Sequence, residues 1–170
     1  MQDYFSLFHL PEKFDLHTTA LESAYRNVQA QVHPDRFAHR SEAERRVAMQ
    51  WATHANEAYR ALRNPVERAR YLLARRGVEI DAERNTAMSH AFLMQQMAWR
   101  EAVEESAGDS SALQRLEQDL QRDEGVMLDD LQYALDDSND LAAAAELVRR
   151  LMFMEKLRSE IDDALAMLDN

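Results

Sequence analysis

The chain has 170 residues, enough for one domain or two small ones, and its apolar fraction of 46% is ordinary for a protein with a packed core. It contains no cysteine, which excludes disulfides, thiolate catalysis and cysteine-ligated metal centres. The net charge of −11 disfavours general nucleic-acid binding, because phosphate neutralisation supplies most of that affinity. Only three glycines and three prolines are present, so the composition predicts an all-α fold rather than a many-stranded sheet.

Charge divides the chain into two parts. Residues 1–76 hold 12 Lys and Arg against 9 Asp and Glu, whereas residues 77–170 hold 8 against 22. Opposite net charges suggest separate tasks for the two parts. No apolar run approaches the roughly 20 residues of a membrane span, and the start has no targeting leader, so we expect a soluble cytoplasmic protein.

The first part of the chain predicts a short helix followed by a helical hairpin. Apolar residues from Tyr4 to Leu10 form the short helix, which Pro11 closes. Two segments ending near Val32 and Leu62 then repeat apolar residues at steps of three and four, as helices with one buried face do. Each segment opens on a candidate capping box, a hydroxyl residue followed three positions later by Glu. The two boxes are Thr19 with Glu22 and Ser41 with Glu44.

The tripeptide His33-Pro34-Asp35 lies between these two helices. Pro34 fixes its own φ and biases His33 away from the helical region, so the first helix of the hairpin must end here. Asp35 and Arg36 carry charges that are rarely buried without partners. The sequence therefore predicts an outward-facing loop between two antiparallel helices.

A third helix completes this part of the chain. Asn64 can cap its start with Pro65 at the first helical position, and Gly77 suits a left-handed stop at its end. Val78 to Arg84 has the composition of a short linker. The predicted organisation is a first domain at 1–76, a linker at 77–85 and a second domain at 86–170.

The sequence predicts three long helices in the second domain. The first runs from Thr86 to Glu105. Turn-forming residues at 108–111 separate it from the second helix, and those at 136–140 separate the second helix from the third. The apolar stripe of the second helix comprises Leu113, Leu116, Leu120, Met127, Leu131 and Leu135. That of the third comprises Leu147, Leu151, Met154, Ile161, Leu165 and Leu168. An antiparallel three-helix bundle buries all three faces most simply.

The helix from Thr86 to Glu105 carries more apolar residues than one core face can hold. Its core face comprises Met88, Phe92, Trp99 and Val103. Leu93, Met94 and Met97 fall on a second face, and in the last helix Phe153 lies off the apolar stripe. These four could pack against the first domain or a neighbouring helix. Otherwise they form an exposed patch, which a binding partner would explain.

The His33 loop also admits two chemical alternatives. His33 and Asp35 could act as a general base and its orienting carboxylate, although no nucleophile or glycine-rich cradle accompanies them. His33, Asp35 and His39 could instead ligate a metal, although no further pattern supports such a site.

Several segments together resemble a known family. Val32 to Phe37 is similar to the signature loop of J-domains, which stimulate ATP hydrolysis by DnaK-type chaperones. Asn56 to Tyr59 matches a later J-domain segment. The residues that follow it in the J-domain order are Leu62, Pro65, Arg68 and Tyr71. Further segments narrow the resemblance to the J-domain co-chaperones of bacterial iron-sulfur cluster assembly. They are Tyr4 to Phe8, Arg68 to Leu73, Ala91 to Met94, Phe153 and Lys156 to Arg158.

The resemblance implies an adaptor with two binding sites, without enzymatic activity, a cofactor or a metal of its own. The chaperone-binding residues would be His33, Pro34, Asp35, Arg36 and Arg26. The scaffold-binding residues would be Leu93, Met94, Met97 and Phe153, with Arg100 and Glu101 in a polar rim. The implied partners are a DnaK-family chaperone of the HscA type and a cluster scaffold protein of the IscU type.

Two departures from the J-domain pattern bear on the chaperone. Arg36 stands where J-domains usually have Lys, which keeps the charge but replaces a compact ammonium with a planar fork. The helix before the loop offers mainly Arg26 where general J-domains have several basic residues. A carboxylate partner would still be served by Arg36, whereas the scarcity of basic residues in this helix favours a dedicated chaperone over a general one.

Overall fold

The computed structural model describes residues 2–80 and 89–168, and within them every regular element is helical, which confirms the all-α prediction. The helices are α1 (Tyr4–Leu7), α2 (Thr18–Val32), α3 (Glu42–Arg63), α4 (Pro65–Arg75), α5 (His90–Glu105), α6 (Ser110–Gln132) and α7 (Leu141–Leu168), with a 3-10 turn at Pro34–Phe37 and a π-helical turn at Tyr133–Asp137. None of these helices has the length and apolar character needed to cross a membrane. The chain divides into two compact units, Met1–Leu72 and Leu73–Asn170.

The N-terminal unit is built on the antiparallel pair α2 and α3. The rings of Tyr25 and Tyr59 stack with centroids 4.1 Å apart, and the Tyr25 hydroxyl donates a 2.7 Å hydrogen bond to Asn56 Oδ1. At the other end of the pair, Val32 and Ala48 line the same groove. The buried residues of the N-terminal unit are Phe5, Leu7, Phe8, Phe14, Leu16, Leu21, Ala48, Ala55, Ala58, Leu62, Val66, Arg68, Ala69 and Leu72. The long α3 therefore holds α2 in a fixed register.

The helix starts are set by their caps, with one exception. The Ser41–Glu44 capping box is confirmed: Glu44 N donates to Ser41 Oγ, and Ser41 N donates to the Glu44 carboxylate at 2.9 Å. The Thr19 box is wrong, because the N-cap of α2 is His17, two residues before Thr19, and His17 makes no side-chain cap bond. Thr19 therefore lies inside the first helical turn, where its hydroxyl is not at the capping position.

The cap and stop of α4 are as predicted. Asn64 Oδ1 accepts hydrogen bonds from the backbone N–H of Val66 at 2.8 Å and of Glu67 at 3.0 Å, with Pro65 at the first helical position. Gly77 has φ +85°, the left-handed conformation that ends the segment. Just before it, Arg76 Nη1 donates to the Leu135 carbonyl oxygen at 2.7 Å.

The second unit contains the predicted three-helix bundle. Ser89 Oγ donates to Glu146 at 3.0 Å and Arg100 pairs with Glu160 at 3.7 Å, so α5 and α7 run in the same direction. Arg158 pairs with Glu124 at 2.8 Å, and only the short segment 133–140 joins α6 to α7, so these two packed helices run antiparallel. The predicted start of the first helix at Thr86 and the predicted core residue Met88 lie outside the described residues; α5 begins at His90 after the N-cap Ser89.

The apolar stripe predicted for α7 is partly wrong. The buried residues of α7 are Ala144, Ala145, Val148, Leu151, Met154, Leu157 and Ile161. Val148 thus takes the core position assigned to Leu147, which is only half-buried. Leu168 is exposed, because Arg100 is already level with Glu160 and α5 ends five residues later. The last turn of α7 therefore extends past the end of α5.

Candidate functional site

The His33 turn is a compact, hydrogen-bonded structure at the end of α2. His33 has φ −59° and ψ 134°, so the helix stops there, as the following proline requires. The His33 Nδ1 atom accepts the backbone N–H of Asp35 at 3.3 Å, and the His33 carbonyl accepts that of Arg36 at 3.0 Å. The imidazole acts as the cap of the 3-10 turn that begins at Pro34. The tripeptide thus forms a turn of defined shape.

The side chains of this turn face solvent. The His33 side chain is 58% exposed and that of Asp35 is 90% exposed, and Pro34 and Arg36 are exposed as well. Arg36 Nη1 donates to the Ala30 carbonyl at 3.2 Å, which satisfies a carbonyl in the last turn of α2 and places a cation at the negative end of the helix. Since a guanidinium has five N–H donors, this bond leaves Arg36 able to bind a carboxylate.

Arg26 belongs to the same face as His33. It is exposed on α2, seven residues before His33. Seven residues make about two helical turns, so the two positions share one side of the helix about 10 Å apart along its axis. Arg26 therefore lies on the same side of α2 as the His33 turn.

The geometry of the turn does not suit a catalytic dyad. In such a dyad the orienting carboxylate accepts a hydrogen bond from the imidazole Nδ1–H. Here Nδ1 is itself an acceptor, and the Asp35 carboxylate lies 3.6 Å away, beyond hydrogen-bond distance. Over residues 2–80 and 89–168, no three His, Asp or Glu side chains converge as metal ligands would, and this includes His33, Asp35 and His39.

An apolar groove lies beside the turn, on the α3 side. It has a volume of about 310 Å³, and Val32, Phe37, Ala48 and Trp51 contribute to its walls together with the exposed Val47. Helical spacing gave no signal for Val47, because it lies off the apolar stripe of α3. Its position beside an exposed turn is visible only once the chain is folded.

A second exposed surface lies on α5. Leu93, Met94 and Met97 are 45%, 54% and 66% exposed, whereas Phe92 and Trp99 on the other side of the helix are buried. These are the two faces that the spacing predicted. We name the residues Leu93, Met94 and Met97 the α5 patch.

Phe153 packs into the bundle at the edge of this surface. Its ring stacks on Trp99 at 6.0 Å between centroids and meets Phe92 edge-on at 5.9 Å, and the Arg100 guanidinium lies 5.5 Å over it. Phe153 is consequently half-buried. Leu93, Met94 and Met97 are exposed, whereas Phe153, the fourth predicted apolar site residue, packs most of its ring against α5.

Polar residues continue the α5 face around the patch. At about 100° per residue, Arg100 falls between Phe92 and Leu93 on the helical circumference, and Glu101 falls between Met97 and Met94. Both are exposed, and Arg100 is held between the Phe153 ring and Glu160. An apolar centre with a charged border is the usual composition of a protein interface.

An exposed His-Pro-Asp turn on a helical hairpin, carried in one chain with a three-helix bundle, defines a co-chaperone of the J-domain class. A co-chaperone protein HscB homolog from Aromatoleum aromaticum is 53% identical over 170 residues, which cover 99% of this chain and 96% of that protein. The chain therefore belongs to the HscB family of co-chaperones.

Solved structures and a domain profile agree with this assignment. Chaperone HscB from Vibrio cholerae superimposes with a TM-score of 0.88 and 35% identity, covering 98% of this chain and 99% of that one. The human co-chaperone protein HscB superimposes with a TM-score of 0.90 and 28% identity, covering 95% and 81%. Residues 88–162 match the HSCB C-terminal oligomerisation domain.

Proposed function

We propose that this co-chaperone binds the iron-sulfur cluster scaffold protein and delivers it to a dedicated DnaK-type chaperone of the HscA type. It stimulates that chaperone's ATP hydrolysis, which promotes cluster transfer to iron-sulfur proteins, in the bacterial cytoplasm. The observation that carries this proposal is the exposed, hydrogen-bonded turn from His33 to Arg36. A binding partner can recognise the fixed shape of this turn and its exposed side chains.

The chaperone contact consists of Arg26, His33, Pro34, Asp35 and Arg36. The turn offers a carboxylate and an imidazole next to two guanidinium groups, so it suits a partner surface of mixed charge. Since the imidazole caps its own turn, the contact is largely pre-organised and little conformational entropy is lost on binding. The chain biases an equilibrium of the chaperone and catalyses nothing itself.

The scaffold contact consists of the α5 patch and Phe153, bordered by Arg100 and Glu101. Exposed Leu and Met side chains lose water on binding, which contributes about 25 cal/mol per Å² of buried apolar surface. Phe153 acts as the fixed end of this surface, because Trp99 and Phe92 hold its ring.

The two contacts lie in separate parts of the chain, which we assign as a J-domain at 1–76, a linker at 77–85 and a scaffold-binding domain at 86–170. Covalent connection makes the second binding event intramolecular, so the scaffold reaches the chaperone at a raised effective concentration. The basic and acidic halves of the chain fit this division.

The chaperone contact is tested by His33→Gln, with His39→Gln as the matched control. His39 is also exposed and lies just beyond the turn. We expect His33→Gln to abolish stimulation of the HscA-type ATPase, measured by phosphate release at steady state, and His39→Gln to preserve it. Circular dichroism verifies that both variants are folded. Unchanged stimulation by folded His33→Gln would refute the chaperone contact, and ATP turnover by this chain alone would indicate an enzyme.

The scaffold contact is tested by the triple variant Leu93→Ala, Met97→Ala and Phe153→Ala. The control is Val126→Ala with Tyr133→Ala, two exposed apolar positions of α6 and the turn after it. Titration calorimetry with the IscU-type scaffold should show a loss of affinity of at least tenfold for the triple variant alone. Equal affinities of the triple variant and the wild type would leave a J-domain protein without this scaffold contact.

A further inference from the structure

The α5 patch differs from an ordinary apolar surface because two of its three side chains are thioethers. Met94 and Met97 are more than half exposed, so dissolved oxidants reach both sulfur atoms. By contrast, Met127 and Met154 are buried in the core of the same unit. Burial protects a methionine sulfur from oxidation, whereas exposure leaves it reactive.

We propose that Met94 and Met97 are redox modification sites whose oxidation to methionine sulfoxide weakens scaffold docking. The proposal rests on the scaffold contact of the proposed function and adds a form of regulation to it. The oxidant is a peroxide, with hydrogen peroxide as the simplest case. No cysteine competes for the oxidant in this chain.

The chemistry is a two-electron oxygen transfer. The thioether sulfur attacks one peroxide oxygen, the O–O bond breaks and an S–O bond forms. The sulfur loses two electrons and the peroxide gains them. The second peroxide oxygen takes up the remaining proton and leaves as water, so the products are methionine sulfoxide and one water molecule.

The sulfoxide changes the patch without changing the fold. It replaces a weakly polar sulfur with a strong hydrogen-bond acceptor, and docking then removes that acceptor from water against an apolar partner surface. Met94 and Met97 contribute to the surface rather than to the buried core, so the bundle keeps its packing. We expect each sulfoxide to weaken docking on the order of tenfold.

The chain provides its own controls for this proposal. Met49 on α3 and Met167 at the end of α7 are also strongly exposed, yet neither belongs to the α5 patch. They should oxidise alongside Met94 and Met97 without affecting scaffold binding. A variant with Met49→Leu and Met167→Leu can therefore be compared with one carrying Met94→Leu and Met97→Leu.

The experiment treats each full-length protein with hydrogen peroxide and removes the oxidant. Peptide mass spectrometry then locates each added oxygen, and titration calorimetry measures scaffold affinity relative to the same protein before treatment. We expect treatment to weaken binding by the wild type and by the Met49/Met167 variant at least tenfold. The Met94/Met97 variant should change less than twofold, and methionine sulfoxide reductases should restore wild-type binding.

Three results would overturn the proposal. The first is unchanged affinity of wild type that carries sulfoxide at both Met94 and Met97, and the second is an equal loss in the Met94/Met97 variant. The third is oxidation of Met127 and Met154 ahead of the exposed pair. If the untreated wild type does not bind the scaffold at all, the proposed function fails and this regulation fails with it. Loss of the regulation alone leaves binding by the untreated protein intact.

Discussion

The structure distinguishes a packed residue from exposed residues within the proposed scaffold contact, and stability measurements can test this distinction. Phe153 is packed between helices, whereas Met97 is 66% exposed. Phe153→Ala should therefore destabilise the second unit, whereas Met97→Ala should affect binding alone. If Met97→Ala leaves the free energy of unfolding unchanged, the α5 patch is exposed to solvent and does not belong to the core.

The expected cost of Phe153→Ala follows from its surroundings. Truncating a fully buried Phe costs about 3–5 kcal/mol, and Phe153 is half-buried. The ring also loses its stacking on Trp99 and its edge contact with Phe92, and aromatic pairs of this kind contribute about 0.5–1.5 kcal/mol each. Half of the full truncation cost is about 1.5–2.5 kcal/mol and the two aromatic pairs add about 1–3 kcal/mol, so the expected loss is about 2.5–5.5 kcal/mol. Met97→Ala should stay within about 0.5 kcal/mol of wild type, as exposed substitutions generally do.

The two tryptophans allow the measurement to be made on one unit. Trp51 lies in α3 and Trp99 in α5, and the chain has no others. In a Trp51→Phe background, fluorescence during urea unfolding reports on the second unit through the buried Trp99. Linear extrapolation then gives the free energy of unfolding for each variant.

Two outcomes would refute the reasoning. If Phe153→Ala changes the free energy of unfolding by less than about 0.5 kcal/mol, the ring does not pack as described. If Met97→Ala costs as much as Phe153→Ala, the thioether contributes to the core, and the α5 patch is not a free surface.

Further predictions concern local structure. Ser41→Ala should lower the free energy of unfolding by about 1 kcal/mol in urea titrations, because it removes the cap of α3. Hydrogen bonds from Ser41 hold the pKa of Glu44 below its ordinary value of 4.5, so wild type loses this stabilisation as pH falls below 4.5, whereas Ser41→Ala should show a flatter acid dependence. Gly77→Ala should destabilise by about 1 kcal/mol because its φ is +85°, and Gly125→Ala in the exposed middle of α6 should stabilise by about 1 kcal/mol. Equal signs for the two glycine variants in thermal unfolding would contradict this assignment.

The local elements were predictable because their causes are local. Pro34 determines where α2 stops, Ser41 and Asn64 determine where α3 and α4 start, and Gly77 determines a left-handed stop. The periodicity of α5 likewise separated buried Phe92 from the exposed patch. Caps, turns and helical faces depend on residues within one or two turns of each other, so the sequence contains them directly.

The remaining features depend on residues far apart in the chain. Helical spacing placed Phe153 off the α7 stripe, but only its contacts with Trp99 and Arg100 make it a packed edge of the α5 surface. The exposure of Leu168 follows from where α5 ends, and the groove beside Val47 requires α2 to lie against α3. The sequence determined the all-α class, the exposed turn, the family and the exposed face of α5, whereas tertiary packing decided how far Phe153 and Leu168 are buried. Burial is a property of neighbouring helices together, and no single helix determines it.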